Sequence, residues 1–323
     1  MSESSETPLV SIIVPSYNQG KYIKETLDSI LTQDYPNLEV LVMDGGSKDE
    51  TLEVLKTYAR DARVAWKSER DKGQAEAINK GFAEAKGEIL AWLGSDDTYL
   101  PGALKRQVGY LTAHPETDVV YGDAIYTRPD GSRCGTYYSR PFSPSDLCRL
   151  CFIPQPSLFM RRQVYARSGG LDLSLHFALD YEYWLRAMMH SRFAYQRGFV
   201  ATYRLHEDSK TVGSVTRFNP EIEKIVVRAL EQKDGPPELA RDRDAILADL
   251  YLELGSACLR GRDRKGALGH WRRSVSHRWL RPRQFWFWSN FSLGVPATAA
   301  LAERWTSWKS GRRAGSAEGA GKA

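Results

Sequence analysis

Between Val10 and Leu111, short apolar runs alternate with segments whose apolar residues recur at helical spacing. Strands and helices alternating at such short intervals define a parallel sheet wound with helices. Val10 to Val14 reads as a buried first strand. Pro15-Ser16-Tyr17-Asn18 breaks it, and Ile23, Leu27, Ile30 and Leu31 mark the helix that follows. Leu38 to Met43 is a second strand, ending at Asp44-Gly45-Gly46-Ser47. Ser47 and Glu50 have capping-box spacing, which predicts a helix from near Lys48 with Leu52, Leu55 and Tyr58 inward. Arg63 to Trp66 is a short third strand, and Ile78, Phe82 and Ala85 face the core of a helix ending near Gly87. Glu88 to Leu93 is a run apolar on both faces, as a strand covered on both sides must be. It opens into Gly94-Ser95-Asp96-Asp97, and Leu104, Val108 and Leu111 mark the next helix.

Beyond Asp118 the rhythm changes. Asp118 to Tyr121 and Ala124 to Tyr126 read as strands, Pro129-Asp130-Gly131 as a turn, and Tyr137-Tyr138 as part of a returning strand. Ser157 to Met160, Phe193 to Tyr195 and Phe199 to Leu205 add short strands around a helix from Tyr181 to Met189. The expected fold class is therefore α/β, with a doubly wound, mixed but mostly parallel sheet. From about Asn219 the pattern is helical. Ala240 to Cys258 and Lys265 to His277 form a hairpin around Arg260-Gly261-Arg262, loosely on tetratricopeptide spacing. One such unit makes a C-terminal helical appendage, not a repeat array.

Four strand ends carry polar or acidic loops: Pro15 to Asn18, Asp44 to Ser47, Glu69 to Gln74 and Gly94 to Asp97. In an open α/β sheet these ends lie along one edge, where ligands bind. Adjacent carboxylates at 96 and 97 are hard oxygen ligands suited to Mg²⁺ or Mn²⁺ carrying a phosphate substrate. A plain alternative is a turn whose Asp caps a helix beginning at Pro101. Arg70 and Lys72 can offset phosphate charge, Asp44 can accept a hydrogen bond from a base, and Tyr17 can stack on one. No G-x-G-x-x-G follows the first strand and no P-loop motif is present.

Val10 to Asn18, Val42 to Thr51, Asp71-Lys72-Gly73-Gln74 with Ala77, Asn79 and Gly81, and Leu93 to Asp97 occur in the order that resembles a family 2 glycosyltransferase of GT-A fold. The resemblance runs from about Leu9 to about Thr211. It implies that Pro15, Tyr17 and Asn18 border the base and ribose, that Asp44 holds the base, and that Arg70 and Asp71 line the nucleotide pocket. It places Gln74, Ser95 and Asp96 with the donor, Asp96 against ribose or sugar, and Asp97 on the metal. Ser95 stands where a stricter motif carries Asp. Ala178 to Arg186 resembles the acceptor-side motif, with Asp180 as catalytic base and Leu179 where relatives often carry Glu. Asp180 as a mere N-cap is the structural alternative, and Glu182 is a second acceptor-side candidate. Gln155 falls in a loop resembling the one before the acceptor pocket, and His206 near a position that reaches the metal or diphosphate.

The implied organisation is a disordered N-terminus at 1–8 and a glycosyltransferase domain at 9–215, divided into a nucleotide-binding half (9–117) and an acceptor half (118–215). A helical C-terminal region (216–310) and a disordered tail (311–323) follow. The implied reaction is inverting, metal-dependent transfer from a nucleotide diphosphate sugar, with a UDP-sugar expected, to a glycan or lipid-linked acceptor in cell-surface polysaccharide synthesis. A sugar-phosphate nucleotidyltransferase would carry a Gly-rich basic loop after the first strand, which Pro15 to Gly20 is not. A non-catalytic sugar-nucleotide-binding scaffold is the remaining alternative.

Cys148 and Cys151 form a C-x-x-C without the second pair or His that zinc needs, so buried thiols are expected. The acidic start lacks the basic and apolar segments of a signal peptide, and no run of 18 apolar residues occurs, so a cytoplasmic location is expected. From Arg260 onward, 14 Lys and Arg face 3 Asp and Glu, against 31 and 37 before it. Trp279, Phe285, Trp286, Phe287, Trp288, Phe291, Trp305 and Trp308 lie among those cations. Such a mix suits peripheral contact with a membrane interface or a helix packed on the catalytic domain. No recognition motif points to nucleic acid.

Overall fold

The computed structural model describes residues 7–207, 209–210, 217–278 and 284. The aromatic residues expected from Trp279 onward and the 311–323 stretch lie outside the described residues. The chain divides into two compact units, Met1–Asp242 and Arg243–Ala323.

The first unit is built on one mixed sheet, nine-stranded among the described residues. Its first half runs β1 (Val10–Ser16), α1 (Gly20–Leu31), β2 (Leu38–Asp44), α2 (Thr51–Thr57), β3 (Val64–Ser68), α3 (Gln74–Glu84) and β4 (Ile89–Trp92). β3, β2, β1 and β4 are neighbours in that order and all parallel. Every residue of β1 is buried. Ile23, Leu27 and Ile30 of α1 join the core on one face with Val10, Ile12 and Val14. α3 covers the other face so closely that a Cβ at Gly81 would stand 2.5 Å from the Ile13 side chain. β1 runs past Pro15 because its pairing to β4 ends at Ile13 opposite Trp92, while pairing to β2 continues to Ser16 opposite Asp44.

The second half adds β5 (Thr98–Tyr99), α4 (Ala103–Ala113), β6 (Val119–Thr127), β7 (Arg133–Tyr137), α5 (Pro144–Arg149), β8 (Phe159–Arg161), α6 (Arg162–Ser168), α7 (Leu179–Ala187) and β9 (Phe193–Arg204). β8 enters antiparallel between β4 and β6, and β9 runs parallel to β6. The two strands read at 118–126 are one strand, as are the two read at 193–205. The register of β6 and β9 shifts around Asp123, whose carboxylate accepts from Gly198 N (3.1 Å) and Tyr195 Oη (2.9 Å) and so binds the irregularity together.

Two helix starts differ from expectation. No capping box forms at Ser47. Its hydroxyl is taken by Asp44 and by the backbone N–H of Asn18, and α2 starts at Thr51. α4 begins at Ala103 after Gly102 in the left-handed conformation, so Asp97 does not cap it. The cysteines are free thiols, and burial pushes Cys148 up to about 12.

Trp92, at the end of β4, stacks on Trp184 of α7 with ring centroids 4.9 Å apart, and both are fully buried. This pair fixes the strand leading into Asp96 and Asp97 against the helix carrying Asp180. Helices Phe218–Leu230 and Pro237–Arg241 complete the first unit, the former packing on α7. The second unit holds the expected hairpin, Arg243–Arg260 and Arg264–His277, with Asp263 accepting from Gly266 N at the second start. Among the described residues no helix is long and apolar enough to cross a membrane.

Candidate active site

A cleft of about 1060 Å³ opens along the carboxyl ends of β1 to β4 and continues to the first turn of α7. That exceeds the usual volume for a small ligand and leaves room for a nucleotide sugar with part of a second substrate. Pro15, Tyr17, Arg70, Asp71, Gln74, Ser95, Asp96, Asp97, Gln155 and Asp180 all line it. Tyr17 is 57% exposed and presents its ring at the surface of the cleft.

Three expected residues, Asn18, Asp44 and His206, lie outside the lining of the cleft, Asn18 exposed and the other two buried. Asn18 adopts φ 52°, a conformation Asn tolerates. Its side chain accepts from Lys48 N (2.9 Å), tying the first loop to the second. Asp44 is buried, and its carboxylate accepts from Gly46 N (3.1 Å), Ser47 N (2.9 Å), Ser68 Oγ (2.6 Å) and Ser47 Oγ. It thus shapes the Gly45-Gly46 floor from below. Three of those donors fall on Oδ2 and one on Oδ1, which ties the carboxylate into the loop beneath the floor. His206 is buried, and its Nε2 lies 2.9 Å from Asp96 Oδ2, beside the acidic turn.

The Gly94–Asp97 turn closes through Asp97 N to Gly94 O (3.0 Å). A Cβ at Gly94 would lie 2.7 Å from Asp96 Oδ1 and 3.2 Å from Asp97 Oδ2, so a side chain there would displace the Asp96 carboxylate. Asp97 Oδ1 accepts from Arg204 N (2.8 Å), and its backbone oxygen accepts from Thr26 Oγ1 (2.8 Å). Arg204, whose place in the sequence marks it only as a strand residue, is almost wholly buried. It donates Nε to Asp96 O (2.8 Å) and Nη2 to Glu25 Oε2 (2.6 Å), with its guanidinium 4.9 Å from the Tyr22 ring centre. Burial, and then the neighbouring Asp96 charge, push Asp97 well above the ordinary carboxylate range. Such a carboxylate suits a cation. Among the described residues no three His, Cys, Asp or Glu side chains form a ready metal cage. A divalent ion here would take Asp97, with Asp96 beside it, and complete its shell from substrate oxygens, the usual habit of Mg²⁺.

Asp71 packs against Gly45, where a Cβ would come 2.9 Å from its Oδ2, and accepts from Gly73 N (2.8 Å). Burial raises its carboxyl. Gln155 donates to Trp92 O (2.6 Å), bridging the end of β4 to the acceptor side.

Asp180 is not an N-cap. Ala178 holds that position, and Asp180 lies in the first turn with Oδ1 accepting from Tyr181 N (2.7 Å). Burial raises its carboxyl, while that N–H and the Lys210 charge pull the other way. Lys210, unmarked in the sequence, also lines the cleft and donates to Gln74 Oε1 (2.9 Å).

Glu182, a second acceptor-side candidate, points away. It is 3% exposed and paired with Arg186 (2.9 Å) and Arg228 (2.5 Å), because two residues along a helix turn a side chain to another face. Glu182→Ala is therefore expected to lower unfolding free energy by about 2–3 kcal/mol, since both arginines keep some exposure. Urea unfolding checks this. An unchanged midpoint would show that the pairs contribute nothing.

The model of the family Glycosyl transferase family 2 matches residues 11–166. A PGL/p-HBAD biosynthesis glycosyltransferase of Mycobacterium bovis is 31% identical over 204 residues, covering 61% of this chain and 77% of that protein. An uncharacterised glycosyltransferase of Rickettsia typhi is 29% identical over 220 residues, covering 65% and 68%. Among solved structures, a mannosyltransferase from Pyrobaculum calidifontis in complex with GDP-Man and Mn²⁺ superposes with TM-score 0.65 at 21% identity, covering 94% of this chain and 84% of that one. TarS 1-349 of S. aureus in complex with UDP-GlcNAc gives TM-score 0.58 at 17% identity, covering 83% and 90%.

Proposed function

The chain belongs to glycosyl transferase family 2 and has the GT-A fold, and from that premise we propose that it catalyses inverting, metal-dependent transfer of a sugar from a nucleotide diphosphate donor. The observation that carries the reading is that one cleft is lined both by the Asp96-Asp97 pair and by Asp180. In the proposed mechanism Tyr17, Arg70 and Asp71 border the nucleotide, while Asp96, held by His206, meets the ribose or sugar. Asp97 holds the divalent cation, Mn²⁺ or Mg²⁺, which when bound stabilises the charge on the departing diphosphate. Asp180 accepts the proton of the acceptor hydroxyl as its oxygen attacks the anomeric carbon. The bond to the diphosphate breaks from the opposite face, and the configuration inverts. No side chain serves as nucleophile.

The nucleotide-sugar donor is supported by the neighbours' own complexes with GDP-Man and UDP-GlcNAc. A glycan or lipid-linked acceptor in cell-envelope synthesis is supported by the relative named for PGL/p-HBAD biosynthesis. Work at the inner membrane face through the basic C-terminus belongs to the same proposal.

The test is a panel of nucleotide sugars with Mn²⁺, Mg²⁺ or chelator, following nucleoside diphosphate release and the anomeric configuration of the product by NMR. Release that needs the metal, with an inverted product, is expected. A retained configuration would overturn the single displacement. Donor binding with no turnover on any acceptor would favour a scaffold.

A further inference from the structure

Helix Phe218–Leu230 lies beyond the matched family segment and beyond the motifs of the sequence. It was expected to open a separate helical region. Its Glu221 nevertheless reaches the loop that enters α7. Oε1 accepts from His176 N (2.9 Å), and Oε2 accepts from Phe177 N (2.9 Å) and Ala178 N (2.8 Å). These N–H groups immediately precede the turn that carries Asp180. One carboxylate thus satisfies three donors at the entrance of the helix, a task usually shared among caps and water.

Two further contacts secure the same loop. Arg228, seven residues after Glu221 and so on the same helical face, donates to Asp172 Oδ2 (3.1 Å) and Glu182 Oε1 (2.5 Å). Phe218 lies against Phe177 with ring centroids 5.1 Å apart. The segment between these anchors supplies Leu173, Leu175, His176 and Phe177 to the cleft wall beside Asp180. Partial burial pushes the Glu221 carboxyl up, but its three N–H donors outweigh that and hold it below the usual range. It is therefore ionised at working pH, and hydrogen bonds to an ionised acceptor are the strong ones.

We propose that Glu221 is a positioning residue for the transfer reaction: by gripping the backbone of His176, Phe177 and Ala178 it sets the acceptor-side wall and the turn that presents Asp180. This rests on the reading of Asp180 as base. An ordinary cap would contribute only helix stability, about 1 kcal/mol. A positioning group also sets the distance between base and hydroxyl, where small displacements cost roughly a hundredfold in rate.

The experiment uses the full chain with Glu221→Gln and Glu221→Ala, at saturating donor and acceptor. Glu221→Ala is expected to lower kcat roughly ten- to hundredfold, with donor Kd unchanged, acceptor KM raised and amide exchange at 176–178 accelerated. Glu221→Gln keeps the shape but loses the charge, and its kcat is expected to fall between wild type and Glu221→Ala. If Glu221→Ala fails to fold, Glu221→Gln alone carries the comparison. Wild-type kcat despite faster exchange would overturn the proposal and leave a structural cap. So would a parallel fall in kcat, donor affinity and melting temperature, which marks general destabilisation. The base assignment fails separately, by undiminished turnover in Asp180→Asn, while the exchange measurement stands on its own.

Discussion

Asp180→Asn is expected to lower kcat by about a thousandfold, within the range that general-base catalysis supplies, while donor Kd stays at its wild-type value. An acceptor hydroxyl holds its proton too tightly to attack unaided. Asparagine matches the carboxylate in shape and can still accept from Tyr181 N through Oδ1, but it cannot take a proton. The environment is suited to a base: burial raises Asp180, and the groups that feel its charge include the neutral Tyr137 and Cys151 as well as Lys210. A carboxyl raised in this way must lose its proton before it can act. The wild-type kcat/KM profile is therefore expected to rise with pH through a value above the ordinary Asp range. The same shift has a stability consequence. A folded-state pKa above the unfolded one means that the ionised carboxylate costs stability once the pH has risen through the folded-state value. Asp180→Asn is thus expected to melt no lower than wild type at pH 8. Turnover within tenfold of wild type, or a melting temperature that falls with activity, would remove Asp180 from the chemistry.

Why these residues could be read from the chain, and others could not, follows from how each is held. The strand-end loops were legible because a parallel sheet fixes their relation by register: Ser16 opposite Asp44 and Ile13 opposite Trp92 bring Tyr17, Gly45 and Gly94 to one edge with no further information. The apolar runs marked β1, β2 and β4 because those strands are buried on both faces, and the helices showed through apolar residues recurring on one face. Ser47 illustrates a local signal that lost to a tertiary one. Its capping-box spacing was genuine, but the buried Asp44 carboxylate and the Asn18 N–H compete for the hydroxyl and win. Glu182, Arg204 and Glu221 were illegible for another reason. Their partners Arg228, Glu25 and the His176–Ala178 backbone stand 46, 179 and 43–45 positions away. No periodicity encodes such pairs. Arg204 also shows how far the acidic loop depends on a distant part of the chain: the last residue of β9 supplies both a backbone N–H to Asp97 and a guanidinium to Asp96 O.

That dependence separates the roles of the two adjacent carboxylates, and it makes Asp97→Asn the sharper test of the metal. Asp96 is shared with His206, so its replacement is expected to disturb the donor sugar and ribose more than the cation. Asp97 faces the cleft with one oxygen on Arg204 N, and burial together with the Asp96 charge opposes its ionisation. A divalent ion relieves that opposition. A ligand at a hundred times its Kd stabilises a folded protein by about 2.7 kcal/mol, a shift easily read by thermal unfolding. Wild type is therefore expected to melt higher in Mn²⁺ or Mg²⁺ with donor present than in chelator. Asp97→Asn is expected to lose that increment and at least a hundredfold in kcat, on the order of what positioned charge stabilisation supplies. In chelator its melting temperature should equal or exceed that of wild type, since a costly buried charge has gone while the Arg204 N–H keeps an acceptor. The combination is diagnostic: a residue that only braced the turn would lower stability in chelator as well. Full protection of Asp97→Asn by Mn²⁺, or transfer by wild type undiminished in chelator, would mean that the cation is bound elsewhere or is not used.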